Sequence, residues 1–319
     1  MKAIEIEGLT KKFGALTALD RLSLEVTRGE LFALVGPDGA GKTTTMRLLC
    51  GILDPTSGDA KVAGCSIRKE PERLKGKIGY MSQRFGLYGD LTVLENLLFY
   101  ADLFEVSRKA LPKKMDRLLG FSNLTPFRDR LAQNLSGGMK QKLGLACALI
   151  HTPEILFLDE PTLGVDPISR GKFWQILYEL LKEGVTIFVS TAYLDEAERC
   201  HRIGLLHRGR IVVQGSSGDL KRNSMPEDVY ELDCGEPMAA MEILKGIDGI
   251  REIALFGKLL HLVVQRNLLV TEEVKKTLFS KETSIKSFLK VMPSLEDVFV
   301  ALVKEDDRKR LRNEVSKAG

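Results

Sequence analysis

The stretch that decides the fold is "LFALVGPDGAGKTTTMRLL", residues 31–49. Its first six residues are a short apolar run, of the kind that suits a strand covered on both faces. A glycine-rich loop follows, and then a segment that reads as a helix. Within it, "GPDGAGKT" at 36–43 fits G-x-x-x-x-G-K-S/T in strand–loop–helix context. Backbone N–H groups of such a loop point inward at phosphate oxygens, and a helix N-terminus adds its positive dipole end. The reading places Gly36, Pro37, Asp38, Gly39, Ala40, Gly41, Lys42, Thr43 and Thr44 around a nucleotide polyphosphate. Lys42 supplies positive charge to the β and γ phosphates, and the Thr43 hydroxyl ligates Mg²⁺.

Working outward, "EILFLDE" (154–160) and "VTIFVST" (185–191) are two more nearly continuous apolar runs. Between them, Phe173, Ile176, Leu177, Leu180 and Leu181 fall on one face at helical spacing, and Gly184 sits where a helix stops. Strand, helix, strand is the repeating unit of a parallel sheet. A phosphate loop needs an acidic partner for its metal, and Asp159 and Glu160 end one of these strands. Neighbours on a strand point to opposite faces, so the two carboxylates divide the work. One holds the Mg²⁺ shell and the other polarises a water. Ser136, Gly137 and Gly138 precede another helix, which alone is only a capped helix start. Taken as a second anion site, it fits a head-to-tail dimer in which each chain serves the other's nucleotide.

At 319 residues, 44% hydrophobic, the chain is long enough for two domains. A net charge of +4 with interleaved signs gives no ground for a nucleic-acid partner. The opening "MKAIEIEGLTKKFG" resembles neither a signal peptide nor a transit sequence, and no run approaches the ~20 apolar residues of a membrane span. A soluble, cytoplasmic chain is expected. Five scattered cysteines with no C-x-x-C pair read as reduced, mostly buried thiols. The texture changes after the Gly- and Ser-rich "GSSGDLKRN" (215–223). Beyond it the pattern is β-α-β-β-α-β, the split βαβ or ferredoxin-like order. A helix follows from Ser294, ending in a mixed-charge tail. The expected domains are 1–217 and 226–319.

The order of these motifs resembles the ATP-binding subunit of an ATP-binding cassette (ABC) transporter. It runs from the loop at 36–43 through "MSQ" with Gln83, "LSGGMKQ" at 135–141 and "ILFLDE" at 155–160 to "LGVDP" with Asp166. The resemblance covers roughly residues 2–217. It implies a P-loop α/β ATPase domain with a helical signature subdomain, followed here by the small α+β ferredoxin-like domain. It implies that Phe13 stacks on adenine, that Gln83 touches Mg²⁺ and the attacking water, and that Asp159 joins Thr43 at the metal. Glu160 is then the base, with Lys42 on the phosphates. Ser136, Gly137 and Gly138 clamp the opposite subunit's γ-phosphate, and Asp166 lies at the dimer seam.

More narrowly, "GLYGDLTVLENL" (86–97), the "YLDEAERC" helix (193–200) and "PSLEDVFVALV" (293–303) resemble the ATPases of ABC-2-type exporters, the multidrug and daunorubicin-resistance-like group. The implied partners are an integral membrane permease, met by the segment between Gln83 and Tyr100, and a second cassette, identical or unequal. The chain would sit on the cytoplasmic face of the cell membrane through that permease. Two departures matter. Asp38 stands where the family commonly carries asparagine. Ala192 stands where a strand end usually presents a histidine to the γ-phosphate. His201 is too far along the expected helix to replace it, and His151, His207 and His261 read as ordinary surface residues. An ATPase slow at its own site is expected, with an ATP-gated clamp of negligible hydrolysis as the alternative.

Overall fold

A computed structural model describes residues 1–83, 86–225, 227–266 and 270–318, with side chains as far as Arg308. Arg84 and Phe85, in the segment expected to meet a permease, and Pro226 and Gly319, at the expected bounds of the second domain, lie outside the described residues. The chain divides into two compact units, Met1–Gly215 and Ser216–Gly319.

The first unit begins with a long hairpin, β1 (Lys2–Phe13) and β2 (Leu16–Thr27), followed by β3 (Leu31–Val35) and α1 (Lys42–Leu49). Next come β4 (Ser57–Val62), β5 (Cys65–Ser66), α2 (Pro71–Lys75) and β6 (Ile78–Met81). Three helices form the helical segment: α3 (Val93–Leu103), α4 (Leu111–Phe121) and α5 (Gly137–Leu149). The chain then returns through β7 (Ile155–Asp159), α6 (Pro167–Lys182), β8 (Thr186–Thr191), α7 (Leu194–Ala197), β9 (Arg202–His207) and β10 (Arg210–Gly215).

β1, β2, β4 and β5 make an antiparallel sheet in the order β2-β1-β4-β5. The other six strands lie in the order β10-β9-β3-β8-β7-β6, parallel except for β10. Every residue of β3, β7 and β8 is buried, as continuous apolar runs in a doubly covered sheet require. One core joins Ile4 and Leu22 of the hairpin, Met46 and Leu49 of α1, and Phe32, Phe157 and Phe188 of the parallel sheet. Phe188 stacks on Phe32 at 5.2 Å between ring centroids and tilts against Phe157 at 5.7 Å. The phosphate loop is thus carried on the central strand of a sheet that cannot shift without opening this core.

In the helical segment, α3 starts with a capping box. The Thr92 hydroxyl accepts from Glu95 N, while Glu95 Oε2 accepts from Thr92 N at 2.7 Å. Fully buried Asn96 pins the approach to this helix, accepting from Tyr88 N at 2.9 Å and donating to Tyr88 O at 3.0 Å.

The second unit contains α8 (Ser217–Asn223), β11 (Glu227–Cys234), α9 (Pro237–Leu244), β12 (Ile250–Phe256), β13 (Leu259–Gln265), α10 (Val270–Ser280), β14 (Ile285–Val291) and α11 (Leu295–Ala318). Its antiparallel sheet runs β12-β13-β11-β14. The two central strands β11 and β13 bring Leu232, Leu260 and Leu262 onto Leu244 of α9 and Val274 and Leu278 of α10. This is the ferredoxin-like arrangement.

The Gly- and Ser-rich stretch is mostly helix α8, which the Ser216 hydroxyl caps by accepting from Asp219 N at 3.1 Å. Two sequence readings need correction. The expected "YLDEAERC" helix is a single turn, α7, since the chain must straighten to enter β9 beside β3. His151, His207 and His261 are not surface residues. His151 stacks on Phe104 at 3.9 Å while its Nε2 meets Ile78 O at 2.8 Å. His201, which is exposed, accepts at Nδ1 from Leu31 N at 3.0 Å. His207 is buried and His261 half-buried. All five cysteines are free and buried. Among the described residues no helix is long and apolar enough to cross a membrane.

Candidate functional site

The phosphate loop leaves β3 and closes on α1, whose N-cap is Gly41 at φ 111°, a conformation side chains rarely adopt. A Cβ there would lie 2.7 Å from Ala18 O and 2.8 Å from Leu19 Cδ2. At Gly36 a Cβ would run into Leu206 O, so both glycines are fixed by close neighbours. The β9–β10 turn braces the loop: Gly209 N donates to Ala40 O at 2.8 Å, and Asp20 N donates to Gly209 O at 2.9 Å. Pro37, Asp38 and Gly39 are exposed at the loop tip, and Ala40 is buried beneath it. Thr43 and Thr44 are half-buried on the first turn of α1.

Lys42 is buried, and its Nζ donates to Gly36 O at 2.8 Å and Pro37 O at 3.1 Å. The same ammonium lies 3.0 Å from Glu160 Oε1. The Asp38 carboxylate, fully exposed, comes within 3.8 Å of it. Water screens that approach, so Asp38 weakens the positive charge of Lys42 without occupying its place.

At the neighbouring strand ends, Asp159 of β7 pairs in register with Ser190 of β8. Ser190 Oγ donates to Asp159 Oδ1 at 2.6 Å. Asp159 is fully buried, and its Oδ2 has no hydrogen-bond partner. A buried carboxylate oxygen left bare is costly unless a cation meets it. Burial, and then the charge of Asp159, push the Cys50 thiol and the Tyr80 phenol up, so these neighbours stay neutral. A bare carboxylate oxygen is the kind of hard donor that Mg²⁺ takes.

Glu160 points the other way. Its φ of 50° is left-handed for a residue with a side chain, and its N–H donates to both Ser190 O and Ser190 Oγ at 3.1 Å. That backbone turn delivers the carboxylate to Lys42 and to Gln83, whose Nε2 donates to Glu160 Oε2 at 3.0 Å. Lys42, Gln83 and Glu160 therefore meet, with Asp159 beside them.

The remaining candidates lie elsewhere. Ser136 caps α5, accepting from Met139 N at 3.3 Å. A Cβ on Gly138 would come within 2.6 Å of Ser169 Cβ, whereas Gly137 has open space around it. Asp166 caps α6, accepting from Ser169 N at 2.9 Å, and that bond holds its carboxyl below the usual range. Ser169 thus joins Gly138 to Asp166. Among the described residues no hydrogen bond or ion pair links this second group to Lys42, Gln83 or Glu160. Phe13 is 47% exposed at the end of β1, with Lys11 Nζ 5.0 Å from its ring centre.

Sequence reasoning missed Ser190 and a buried network next to it. Glu196, fully buried on α7, accepts from Thr191 Oγ1 at 2.9 Å and from Thr162 Oγ1, and lies 3.4 Å from Arg170 Nε. Nothing in "LDEAE" separates Glu196 from its exposed acidic neighbours. Ala192 is exposed just past this network.

Residues 19–163 match the family described as ABC transporter. A Nod factor export ATP-binding protein of Paraburkholderia xenovorans is 36% identical over 301 residues, which span 94% of this chain and 96% of that protein. The chain belongs to the ABC transporter ATP-binding family. The cassette is also 44% identical over 225 residues to a probable multidrug ABC transporter ATP-binding protein of Escherichia coli. That match covers 70% of this chain but only 39% of the length of the relative. The daunorubicin/doxorubicin resistance ATP-binding protein of Streptomyces peucetius is 38% identical over 232 residues, 72% of this chain and 70% of that one. Among solved structures, the ATP-binding subunit of an ABC transporter superposes with a TM-score of 0.63 at 31% identity, over 69% of this chain and 92% of that one. A dimeric cassette in a post-hydrolysis state, bound to ADP and Pi, gives 0.61 at 28% identity, over 67% and 98%. The P-loop α/β architecture is the one this ATPase family uses.

Proposed function

We propose that the cassette binds Mg²⁺·ATP and hydrolyses it as the energy-supplying subunit of an exporter, working in a head-to-tail pair on the cytoplasmic face of a membrane permease. The observation that carries this reading is the meeting of Lys42, Gln83 and Glu160 beside the bare oxygen of Asp159. In it, residues Gly36 to Thr44 cradle the polyphosphate and Phe13 stacks on adenine. Thr43, Asp159 and Gln83 hold Mg²⁺, which neutralises charge developing on the phosphoryl oxygens. Glu160 takes the proton of the attacking water. Ser136, Gly137 and Gly138 serve the partner's nucleotide, with Asp166 at the seam; their separation from Lys42 within one chain is what a site shared by two chains requires. Relatives named for multidrug, Nod factor and daunorubicin export support the exporter assignment.

The finer proposal is that this chain's own site turns over slowly. Ala192 brings only a methyl group to the strand end, and both preceding hydroxyls are committed, Ser190 to Asp159 and Thr191 to Glu196. Phosphoryl transfer depends on positioning and charge stabilisation, so one missing contact costs ~10²–10³ in rate, by analogy with removed oxyanion donors. The test is steady-state ATPase activity of the purified chain, beside Ala192→His and Glu160→Gln. Ala192→His is expected to raise kcat, and Glu160→Gln to lower it about 10²-fold or more while ATP binding persists. A wild type as fast as Ala192→His removes the slow-site proposal. An active Glu160→Gln removes the assigned base.

A further inference from the structure

Ser190 is a hydroxyl in an apolar strand, fully buried in the parallel sheet between β3 and β7. A hydroxyl there is tolerated only if its hydrogen-bonding capacity is used. Its partners decide how it is used. The Ser190 hydroxyl donates its proton to Asp159 Oδ1, at 2.6 Å. The lone pairs are then free for Glu160 N–H, which reaches Ser190 Oγ at 3.1 Å. One side-chain oxygen thus holds both acidic residues. It locks Asp159 with Oδ1 engaged and Oδ2 bare, and it supports the left-handed backbone that sends Glu160 to Lys42 and Gln83.

We propose that Ser190 is a positioning residue for Mg²⁺ binding, orienting Asp159 so that its free oxygen faces the cation. The proposal rests on the reading of Asp159 as the metal carboxylate. Without the hydroxyl, Asp159 loses the donor that fixes its rotamer, while Glu160 N–H keeps the Ser190 carbonyl at 3.1 Å. The backbone ladder therefore stays intact, and the loss falls on the metal.

The experiment is a titration of the full chain with Mg²⁺, followed by the fluorescence of bound trinitrophenyl-ATP and started in EDTA. Ser190→Ala is expected to bind the nucleotide in EDTA within about twofold of wild type and to need about 10- to 100-fold more Mg²⁺ to reach its midpoint. Ser190→Thr, which restores the hydroxyl, returns the midpoint to within about threefold of wild type. Ser190→Cys keeps a weak donor in similar volume and gives an intermediate midpoint. It takes the place of Ser190→Ala if that variant does not fold, and a wild-type midpoint for it then overturns the proposal. Asp159→Asn separates the two levels. If Asp159→Asn titrates like wild type, the metal reading fails and the inference with it. If Asp159→Asn loses the Mg²⁺ response while Ser190→Ala titrates like wild type, the inference alone is overturned.

Discussion

Replacing Glu196 with alanine tests whether the buried network behind the strand ends is a structural hub. The Glu196 side chain is fully buried and joins four segments: the loop after β7 through Thr162, helix α6 through Arg170, the end of β8 through Thr191, and its own helix α7. Each hydrogen bond to a charged group contributes about 1.5–3 kcal/mol. Two such bonds and one ion pair are lost together. Thr191 Oγ1 still accepts from Tyr193 N at 3.0 Å, and Arg170 is 24% exposed, so its freed charge reaches water. These two facts offset part of the loss. The net expectation for Glu196→Ala is about 3–5 kcal/mol, the range for breaking a buried charged pair. Glu196→Gln keeps the volume and one acceptor oxygen and should cost about 1–2 kcal/mol.

The assay is urea unfolding followed by tryptophan emission. Trp174 is the chain's single tryptophan and is buried in α6, so its signal reports on the first unit. A loss of about 4 kcal/mol is a large share of the ~5–15 kcal/mol of a typical domain, and the shift in midpoint should be large. A Glu196→Ala variant within ~1 kcal/mol of wild type would refute the hub. So would a Glu196→Gln variant less stable than Glu196→Ala, because Glu196 holds its partners through acceptor oxygens.

Two further outcomes follow from local geometry. Gly138→Ala forces a Cβ to 2.6 Å from Ser169 Cβ and should cost about 1–3 kcal/mol, outweighing its gain in helix propensity, whereas Gly137→Ala has open space and should be neutral or stabilising by under ~1 kcal/mol; thermal unfolding of both checks this. The Arg210 guanidinium holds the Asp20 carboxyl below its usual range, so this contribution is complete above the unfolded value near ~4 and is lost as pH falls through the folded one. The stability gap between wild type and Asp20→Asn should therefore be widest at neutral pH and close in acid, as urea midpoints across pH would measure.

The parts of the fold legible in the sequence were those encoded locally. Residues 36–43 announce their loop because few sequences place glycines, lysine and threonine in that order after an apolar run. The runs at 154–160 and 185–191 announce buried strands for the same reason, and the alternating texture beyond 226 gave the order of the second unit's elements. What was hidden depends on contacts far apart in the chain. Asp159 and Ser190 are 31 residues apart and become partners only through the β7–β8 register. Arg170, Thr162 and Glu196 carry no pattern that marks them as one cluster. His151, His207 and His261 misled because their type says nothing of their surroundings. His151 is spent on an aromatic ring and a carbonyl, and His207 is buried.

The same contacts explain how the strand end tolerates alanine at position 192. On a strand, successive side chains alternate faces, so Ser190 and Thr191 serve two different partners. Ser190 secures Asp159 and Glu160, while Thr191 secures Glu196 and, through it, Thr162 and Arg170. By residue 191 both faces are anchored, and Ala192 lies exposed beyond them. Its side chain is not needed to hold the strand. Ala192→His should accordingly leave unfolding free energy within ~0.5 kcal/mol of wild type even if it changes kcat. A large stability change would mean that residue 192 belongs to the scaffold, and the strand end could no longer be treated as a place where chemistry varies independently of fold.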